Sequence, residues 1–319
     1  ISACLVGSEM CIRDRSIVVI YNGEIYNYRQ IRNKLEKKGH KFYTFTDTEV
    51  IPHAYEEYGI KFLRILDGMF AFALWDSRNK RLLLARDRFG IKPLYYTIIN
   101  NKIIFASEIK SILQHPNVKK EIDYESIHLF LNLRYLPKEK TMFKNIKKLL
   151  PGHYIEVTPK NITMKKYYEH KFEESNFSIN YCIKNLERLI KNSVRMHMIS
   201  DVPIGFYLSG GIDSSTIATF AKLFSNNNKL NTFCMGFDED TDEFKYSEII
   251  SSKLETNHHN IVIKTDFIED LPSLIWFADM PKRNLYPYYI AKAAKKFVKV
   301  VLSGTGSDEL FGGYPCLLY

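Results

Sequence analysis

No stretch of this sequence is apolar for long enough to cross a bilayer as a helix, which takes about 20 residues. Its longest runs, such as Gly68 to Trp75, have the length of a buried strand, so no membrane partner is expected. Cysteine is scarce. The five present (Cys4, Cys11, Cys182, Cys234, Cys316) form no C-x-x-C pair and no zinc-ligand spacing, which argues against a disulfide framework or a zinc module. The odd, scattered set suits reduced thiols, hence a cytoplasmic setting. Negative charge is the minority sign: 36 acidic against 45 basic residues leave a net charge of +9. The lysines are dispersed, with a mild excess from Lys138 to Lys171, and no basic helix or aromatic-laced stripe stands out. Nucleic acid is therefore not an expected partner. A Walker loop, G-x-x-x-x-G-K-[ST], is also missing. Residues 1–15 lack the charged start and apolar centre of a signal peptide. They also fit nothing that follows, and are expected to be a non-native leader before a protein proper that begins near Ser16.

What is present is the composition of a globular protein, 45% hydrophobic and 25% charged, at a length that suggests two domains. From Ile17 to Tyr21 the β-branched run predicts a strand. Tyr28 to Lys38 reads as a helix stopped by Gly39, and a second helix with Val50, Ile51, Ala54 and Tyr55 on its apolar face stops at Gly59. Strands follow over Met69 to Trp75, Arg81 to Arg86, Tyr95 to Thr97 and Lys102 to Ala106. This helix-then-strand order predicts a layered α+β domain over 16–170. The polar stretch Phe172 to Ile179 marks a joint. Beyond it, Cys182 to Met198 carries Ile183, Leu186, Ile190 and Val194 at helical spacing, a stripe expected in the core. From Ile204 onward strands alternate with helices, predicting a parallel, doubly wound sheet over 180–319 with ligands beyond the strand carboxyl ends.

The most informative stretch is Leu208-Ser209-Gly210-Gly211-Ile212-Asp213-Ser214-Ser215. An apolar strand runs into it and a helix leaves it. Paired glycines let backbone N–H groups close on an anion. Hydroxyl residues at a helix start add donors where the dipole favours negative charge. The spacing S-G-G-x-D-S-S resembles the pyrophosphate loop of ATP pyrophosphatases, which cleave ATP between the α and β phosphates. By itself Asp213 could equally be a structural turn residue, and Asn22-Gly23 an ordinary turn.

Many segments, in order, resemble the glutamine-dependent asparagine synthetases, class II glutamine amidotransferases. They are Asn22-Gly23-Glu24-Ile25-Tyr26-Asn27, Asp47, Gly68 to Asp76, Arg86-Asp87-Arg88-Phe89-Gly90-Ile91-Lys92-Pro93, Ala106 to Lys110, Lys140 to Ile146, Leu150-Pro151-Gly152-His153-Tyr154, the loop at 208–215 and Ser303 to Tyr314. The resemblance implies an N-terminal-nucleophile-type glutaminase sandwich, then an α/β sheet of the ATP pyrophosphatase type. It implies an oxyanion hole from Asn22 and Gly23, donors preorganised where charge develops, and glutamine held also by Glu24 and Asp47. ATP contacts fall on Leu208, Ser209, Gly210, Gly211, Asp213, Ser214, Met235, Gly236, Ser303 and Gly304. Mg²⁺ falls to Asp213 and Asp308, with Asp308 also catalytic through magnesium-pyrophosphate. The implied reaction converts aspartate to asparagine through aspartyl-AMP, with ammonia from glutamine, releasing AMP and pyrophosphate. Substrates are then ATP, aspartate and glutamine or ammonia, and a homodimer is compatible with the family.

Some positions depart from that pattern. The family's N-terminal cysteine nucleophile has no counterpart: Cys4 and Cys11 stand in the wrong context, so this chain is expected not to hydrolyse glutamine. Thr305 replaces a usual acidic residue, and Met280 with Lys282-Arg283 alters a segment near the acceptor. The chain reads as a fragment truncated at both ends. Two other functions stay open: amidation of another carboxylate, such as a sugar or antibiotic precursor, and an inactive or regulatory ATP-binding module. A nucleic-acid-modifying ATP pyrophosphatase is remote, given the glutaminase-like first half.

Overall fold

The protein was analysed as a computed structural model, which describes residues 3–4, 9–13, 16–225, 228–237, 239, 242–264, 267–282 and 285–314. The chain forms two compact units: Ile1–Glu173 with Ile275–Arg283, and Glu174–Leu274 with Asn284–Tyr319.

In the first unit the strands are β1 (Ala3–Cys4), β2 (Glu9–Arg13), β3 (Ile17–Ile25), β4 (Gly68–Asp76), β5 (Arg81–Arg86), β6 (Tyr95–Ile99), β7 (Lys102–Ala106), β8 (Lys147–Lys148), β9 (His153–Val157) and β10 (Ile162–Lys166). Its helices are α1 (Tyr28–Glu36), α2 (Val50–Tyr58), α3 (Ile109–Ile112) and α4 (Tyr124–Leu133). One sheet has the order β10-β9-β5-β4-β3-β2, the other β1-β7-β6-β8. Glu9–Arg13, set apart in the sequence, pairs antiparallel with β3 as the edge strand of the larger sheet.

Strands β4 and β5 read as continuous apolar runs because both faces are covered, with alternate residues going to each side. Phe70, Phe72, Leu74, Leu83 and Ala85 pack with Ile31 and Leu35 of α1 and Val50, Ile51 and Ala54 of α2. Ala71, Ala73, Leu82 and Leu84 pack instead with Tyr96 and Phe105 of the other sheet. Outside that sheet, Ile104 and Ala106 meet Ile109 and Ile112 of α3. The layers therefore run helices, sheet, sheet, helix.

The loop from β5 to β6 crosses from one sheet to the other, and two adjacent charged residues shape it, Asp87 buried and Arg86 half-buried. The Asp87 carboxylate accepts N–H bonds from Phe70 (3.2 Å), Phe89 (3.1 Å), Ile91 (3.0 Å) and Lys92 (3.0 Å). The Arg86 guanidinium donates to the carbonyls of Lys92 (2.7 Å), Leu149 (2.6 Å) and Gly90 (2.7 Å). Buried charge is tolerated where hydrogen bonds replace its water shell. Gly90 has φ +68°, and a Cβ there would lie 2.9 Å from Pro151 and 3.0 Å from the guanidinium carbon of Arg86, so only glycine fits.

The second unit holds β11 (Ile204–Tyr207), β12 (Asn231–Gly236), β13 (Asn257–Val262) and β14 (Val300–Leu302). With them come α5 (Ile179–His197), α6 (Ile212–Phe224), α7 (Phe244–Leu254), α8 (Phe267–Ala278, whose last turn belongs to the first unit), α9 (Pro287–Ala294) and α10 (Ser307–Phe311). All strand pairs are parallel, in the order β13-β12-β11-β14. The chain steps outward from β11 to β13, then returns to the opposite side of β11 as β14. This is a doubly wound sheet with its switch point between β11 and β14.

One sequence expectation needs correction. The apolar stripe of α5 is only half core: Val194 is buried and Ile190 packs beside it, while Ile183 is 57% and Leu186 40% exposed. Helical spacing shows that a face exists, not that something covers its whole length. The strand expected over Ile17 to Tyr21 runs on to Ile25, opposite Ala71, Phe70, Met69 and Gly68, so the turn alternative at Asn22-Gly23 falls away.

Replacing Asp87 by alanine strips four N–H donors of their acceptor. The expected loss is about 2–4 kcal/mol in the urea unfolding of the first unit. An unchanged midpoint would remove Asp87 from this role.

Candidate functional site

In the first unit the residues matched to glutamine binding gather around the end of β3. Gly23 lies where β4 passes too close for any side chain: a Cβ would fall 2.2 Å from the Met69 carbonyl and 2.7 Å from Phe70 Cα. The same closeness recurs across the ladder, where a Cβ on Gly68 would fall 2.1 Å from the Glu24 carbonyl. Glycine here is thus required by strand packing alone. The Asn22 amide reaches the buried Ser107 hydroxyl only at 3.4 Å, a long contact that orients the donor loosely. Asp47 accepts from the Tyr21 hydroxyl at 2.6 Å and from the Ile25 N–H at 2.7 Å, both through Oδ2. Its carboxylate is so pinned against the strand segment that carries Asn22, Gly23 and Glu24. Burial, followed by the charges of Glu24, Asp67 and Asp87, pushes the Tyr26 phenol well above its ordinary range, so this end of β3 carries a negative field.

Three residues missed in the sequence organise this site. Tyr21 fixes Asp47, and Ser107 gives Asn22 a looser partner. Glu49, itself buried, accepts the N–H groups of Tyr43 and Thr44 (both 2.8 Å) and the Thr44 hydroxyl (2.6 Å). It shapes the loop that presents Asp47. The run Thr46-Asp47-Thr48-Glu49 held the signal: a second carboxylate two residues on, at the start of a helix.

In the second unit every residue matched to ATP lies at the carboxyl ends of three neighbouring parallel strands. Leu208 to Ser214 follows β11, Met235 and Gly236 close β12, and Ser303 to Asp308 follows β14. The first loop is braced by its own serines. Ser214 Oγ accepts the Ser209 N–H and donates to the Gly211 carbonyl, both at 3.2 Å, and Ser209 Oγ accepts the Gly211 N–H at 3.2 Å. Gly210 has φ +87°, and a Cβ there would lie 2.5 Å from the Tyr246 backbone. The two loops touch through another glycine: a Cβ on Gly304 would sit 2.9 Å from Asp213 Cβ and 3.2 Å from the Ser214 nitrogen. Asp213 and Asp308 stand in the first turns of α6 and α10. Thr305 Oγ1 accepts the Ser303 hydroxyl at 2.9 Å.

The histidine pair splits between two faces of β13. His258 meets the hydroxyls of Thr232 (2.8 Å) and Ser247 (3.0 Å), and burial holds its pKa below the usual value. His259 stacks on Phe233. The segment singled out for the acceptor is used structurally at Asp279. Its carboxylate accepts the Ile109 N–H at 2.5 Å and pairs with Lys110 at 3.3 Å. Arg283 and Asn284 lie outside the described residues.

Comparison with known families agrees with this layout. The glutamine amidotransferase domain family matches residues 7–168, just over half of the chain. The chain belongs to the glutamine amidotransferase family. Residues 185–319 of this amidotransferase match the asparagine synthase family. Asparagine synthetase [glutamine-hydrolyzing] 1 of Bacillus subtilis (strain 168) is 40% identical over 97% of this chain and 49% of its own length. A putative asparagine synthetase [glutamine-hydrolyzing] 2 of Methanocaldococcus jannaschii is 36% identical over 93% of this chain and 59% of its own. The amidotransferase chain thus spans about half the length of the curated relatives it matches. A solved glutamine phosphoribosylpyrophosphate amidotransferase from B. subtilis aligns over 81% of this chain and 51% of its own, at 12% identity and a TM-score of 0.36, a likeness too distant to bear on function.

The adjacent glycines should respond differently to substitution. Gly210→Ala combines a positive φ with a backbone clash and is expected to cost about 2 kcal/mol or more. In Gly211→Ala the new Cβ meets nothing nearer than Ser209 Oγ at 3.3 Å, so little should change. Thermal unfolding of the two variants side by side checks this, and equal midpoints would refute it.

Proposed function

We propose that this protein makes asparagine from aspartate, ATP and ammonia, with glutamine as the nitrogen source. The single observation that carries the reading is the contact of the 208–214 and 303–308 loops at the switch point between β11 and β14, closed by Gly304 against Asp213. A crevice at a topological switch is where doubly wound sheets hold nucleotides. One loop starts a helix of good length, α6, so its N–H groups and dipole suit phosphate. The resemblance of this loop to the pyrophosphate loop of ATP pyrophosphatases points to cleavage at the α phosphate.

On this reading Ser209, Gly210, Gly211 and Ser214 cradle the pyrophosphate. Leu208, Met235, Gly236, Ser303 and Gly304 line the nucleoside side through backbone groups. The aspartate side-chain carboxylate attacks the α phosphorus, the bond to the β phosphate breaks, and pyrophosphate leaves. Ammonia then attacks the acyl carbon of aspartyl-AMP, AMP departs, and asparagine is left. Asp213 and Asp308 offer two carboxylates on neighbouring helix starts, a donor set that fits Mg²⁺ beside phosphate oxygens. The ion would neutralise the departing pyrophosphate. In the first unit Asn22 and Gly23 would donate to the oxyanion of a cleaved glutamine amide, and Glu24 and Asp47 would hold its ammonium; with no cysteine here in the nucleophile's context, this chain by itself draws on free ammonia. The fold is accordingly assigned as an N-terminal-nucleophile glutaminase sandwich over 16–170 and an ATP-pyrophosphatase sheet over 180–319. Its place is the cytoplasm.

Incubation with ATP, Mg²⁺, aspartate and ammonium should release pyrophosphate and asparagine in equal amounts. Ser214→Ala and Asp213→Asn are each expected to lower that rate at least tenfold, about 1.4 kcal/mol in the barrier. ATP bound without turnover would favour a regulatory module, and absence of ATP binding would overturn the proposal.

A further inference from the structure

A cluster away from both sites has the makings of a metal centre. His40 precedes the loop that carries Asp47, and His53 and Glu56 follow it on α2, one turn apart. A ligand atom of each lies within 4.8 Å of the others. The two imidazoles face each other through the same nitrogen, His40 Nδ1 to His53 Nδ1, at 3.1 Å. The opposite nitrogen of each ring faces a carboxylate: His40 Nε2 lies 3.1 Å from Glu57 Oε2, and His53 Nε2 lies 3.8 Å from Glu49 Oε1. A proton held at each Nε2 would leave both Nδ1 atoms available as ligands. Without an ion the same contact is a hydrogen bond with one Nδ1 protonated, and a metal ion would take that proton's place. Carboxylates behind the ligand imidazoles are also what metal-bound histidines commonly use to set tautomer and raise basicity.

We propose that His40, His53 and Glu56 bind a divalent transition-metal ion of the zinc class. In tetrahedral zinc sites with Zn–N near 2.0–2.1 Å, two ligand nitrogens stand about 3.3 Å apart, close to the 3.1 Å separation here. Borderline nitrogen donors with one carboxylate select zinc, cobalt or nickel over magnesium or calcium. His53 is 2% exposed and its ring is stacked on Phe42 at 4.1 Å, so one ligand is preset in a dry wall. His40 and Glu56 are partly exposed, which provides the way in. Arg78 lies 3.8 Å from Glu56 and competes as the cation there. The ion would staple the two ends of the loop that Glu49 shapes and that presents Asp47. Cysteine spacing gave no hint of this site, because its ligands are histidines brought together by a loop closing on a helix.

The test uses the full chain carrying Cys182→Ser, which removes an exposed thiol, after chelator treatment and dialysis. Calorimetric titration with Zn²⁺ should show one equivalent bound, and Co²⁺ should give the visible absorption of a tetrahedral site. His40→Ala and Glu56→Gln should each weaken Zn²⁺ at least tenfold while circular dichroism stays unchanged. Zn²⁺ should also raise the thermal midpoint of the parent but not of the variants. Lack of Zn²⁺ uptake, or uptake undiminished in both variants, would overturn the proposal. So would a proton shared between the two Nδ1 atoms, seen in nitrogen-15 spectra, that Zn²⁺ does not displace.

Discussion

Arg86 and Asp87 are the pair on which the first unit depends. Asp87 is buried and Arg86 half-buried at the crossing between two sheets, and each charge holds its place through backbone hydrogen bonds. Seven backbone groups complete their hydrogen bonding, from the β4 start, the 89–92 turn and the Leu149 carbonyl. Further bonds attach to the same two residues: the Gly152 N–H reaches the Asp87 carbonyl at 2.8 Å, and the Tyr167 hydroxyl reaches the Arg86 carbonyl at 2.9 Å. The strands on either side therefore keep one register. That register carries the close approach of β3 and β4 at Gly23, where the Asn22 and Asp47 side chains are aimed.

Both candidate sites follow one design. A glycine admits backbone where no side chain could fit, and a few short polar side chains lock the result. In the second unit the glycines are Gly210 and Gly304 and the locks are Ser209 and Ser214. In the first the glycine is Gly23 and the locks are Tyr21 and Glu49. Preorganisation of this sort matters because a donor already in place costs no reorganisation when charge develops. The His40–His53–Glu56 cluster extends the first site's support one layer outward, to the ends of the loop that Glu49 shapes.

Much of this was legible in the order of residues. Helix stops at Gly39 and Gly59, the strands from Gly68 to Ala106 and the alternation after Ile204 stand close to where periodicity puts them. The continuous apolar character of β4 and β5 pointed to burial on both faces. What failed or stayed open there did so for physical reasons. Asn22-Gly23 has turn chemistry, but pairing with β4 along its whole length extends the strand through it. The α5 stripe has the right period, but burial depends on what packs against it.

Local sequence alone determined where strands and helices form, that a glycine-serine loop would precede a helix, and which family the chain resembles, because these rest on periodicity and on short-range turn chemistry. Tertiary structure decided which carboxylates answer to which donors. Asp47 meets Tyr21, Glu49 meets Tyr43 and Thr44, Asp87 gathers four N–H groups, and two histidines thirteen positions apart come to face each other. Such pairings depend on the register of strands and the closure of loops, which no local pattern encodes.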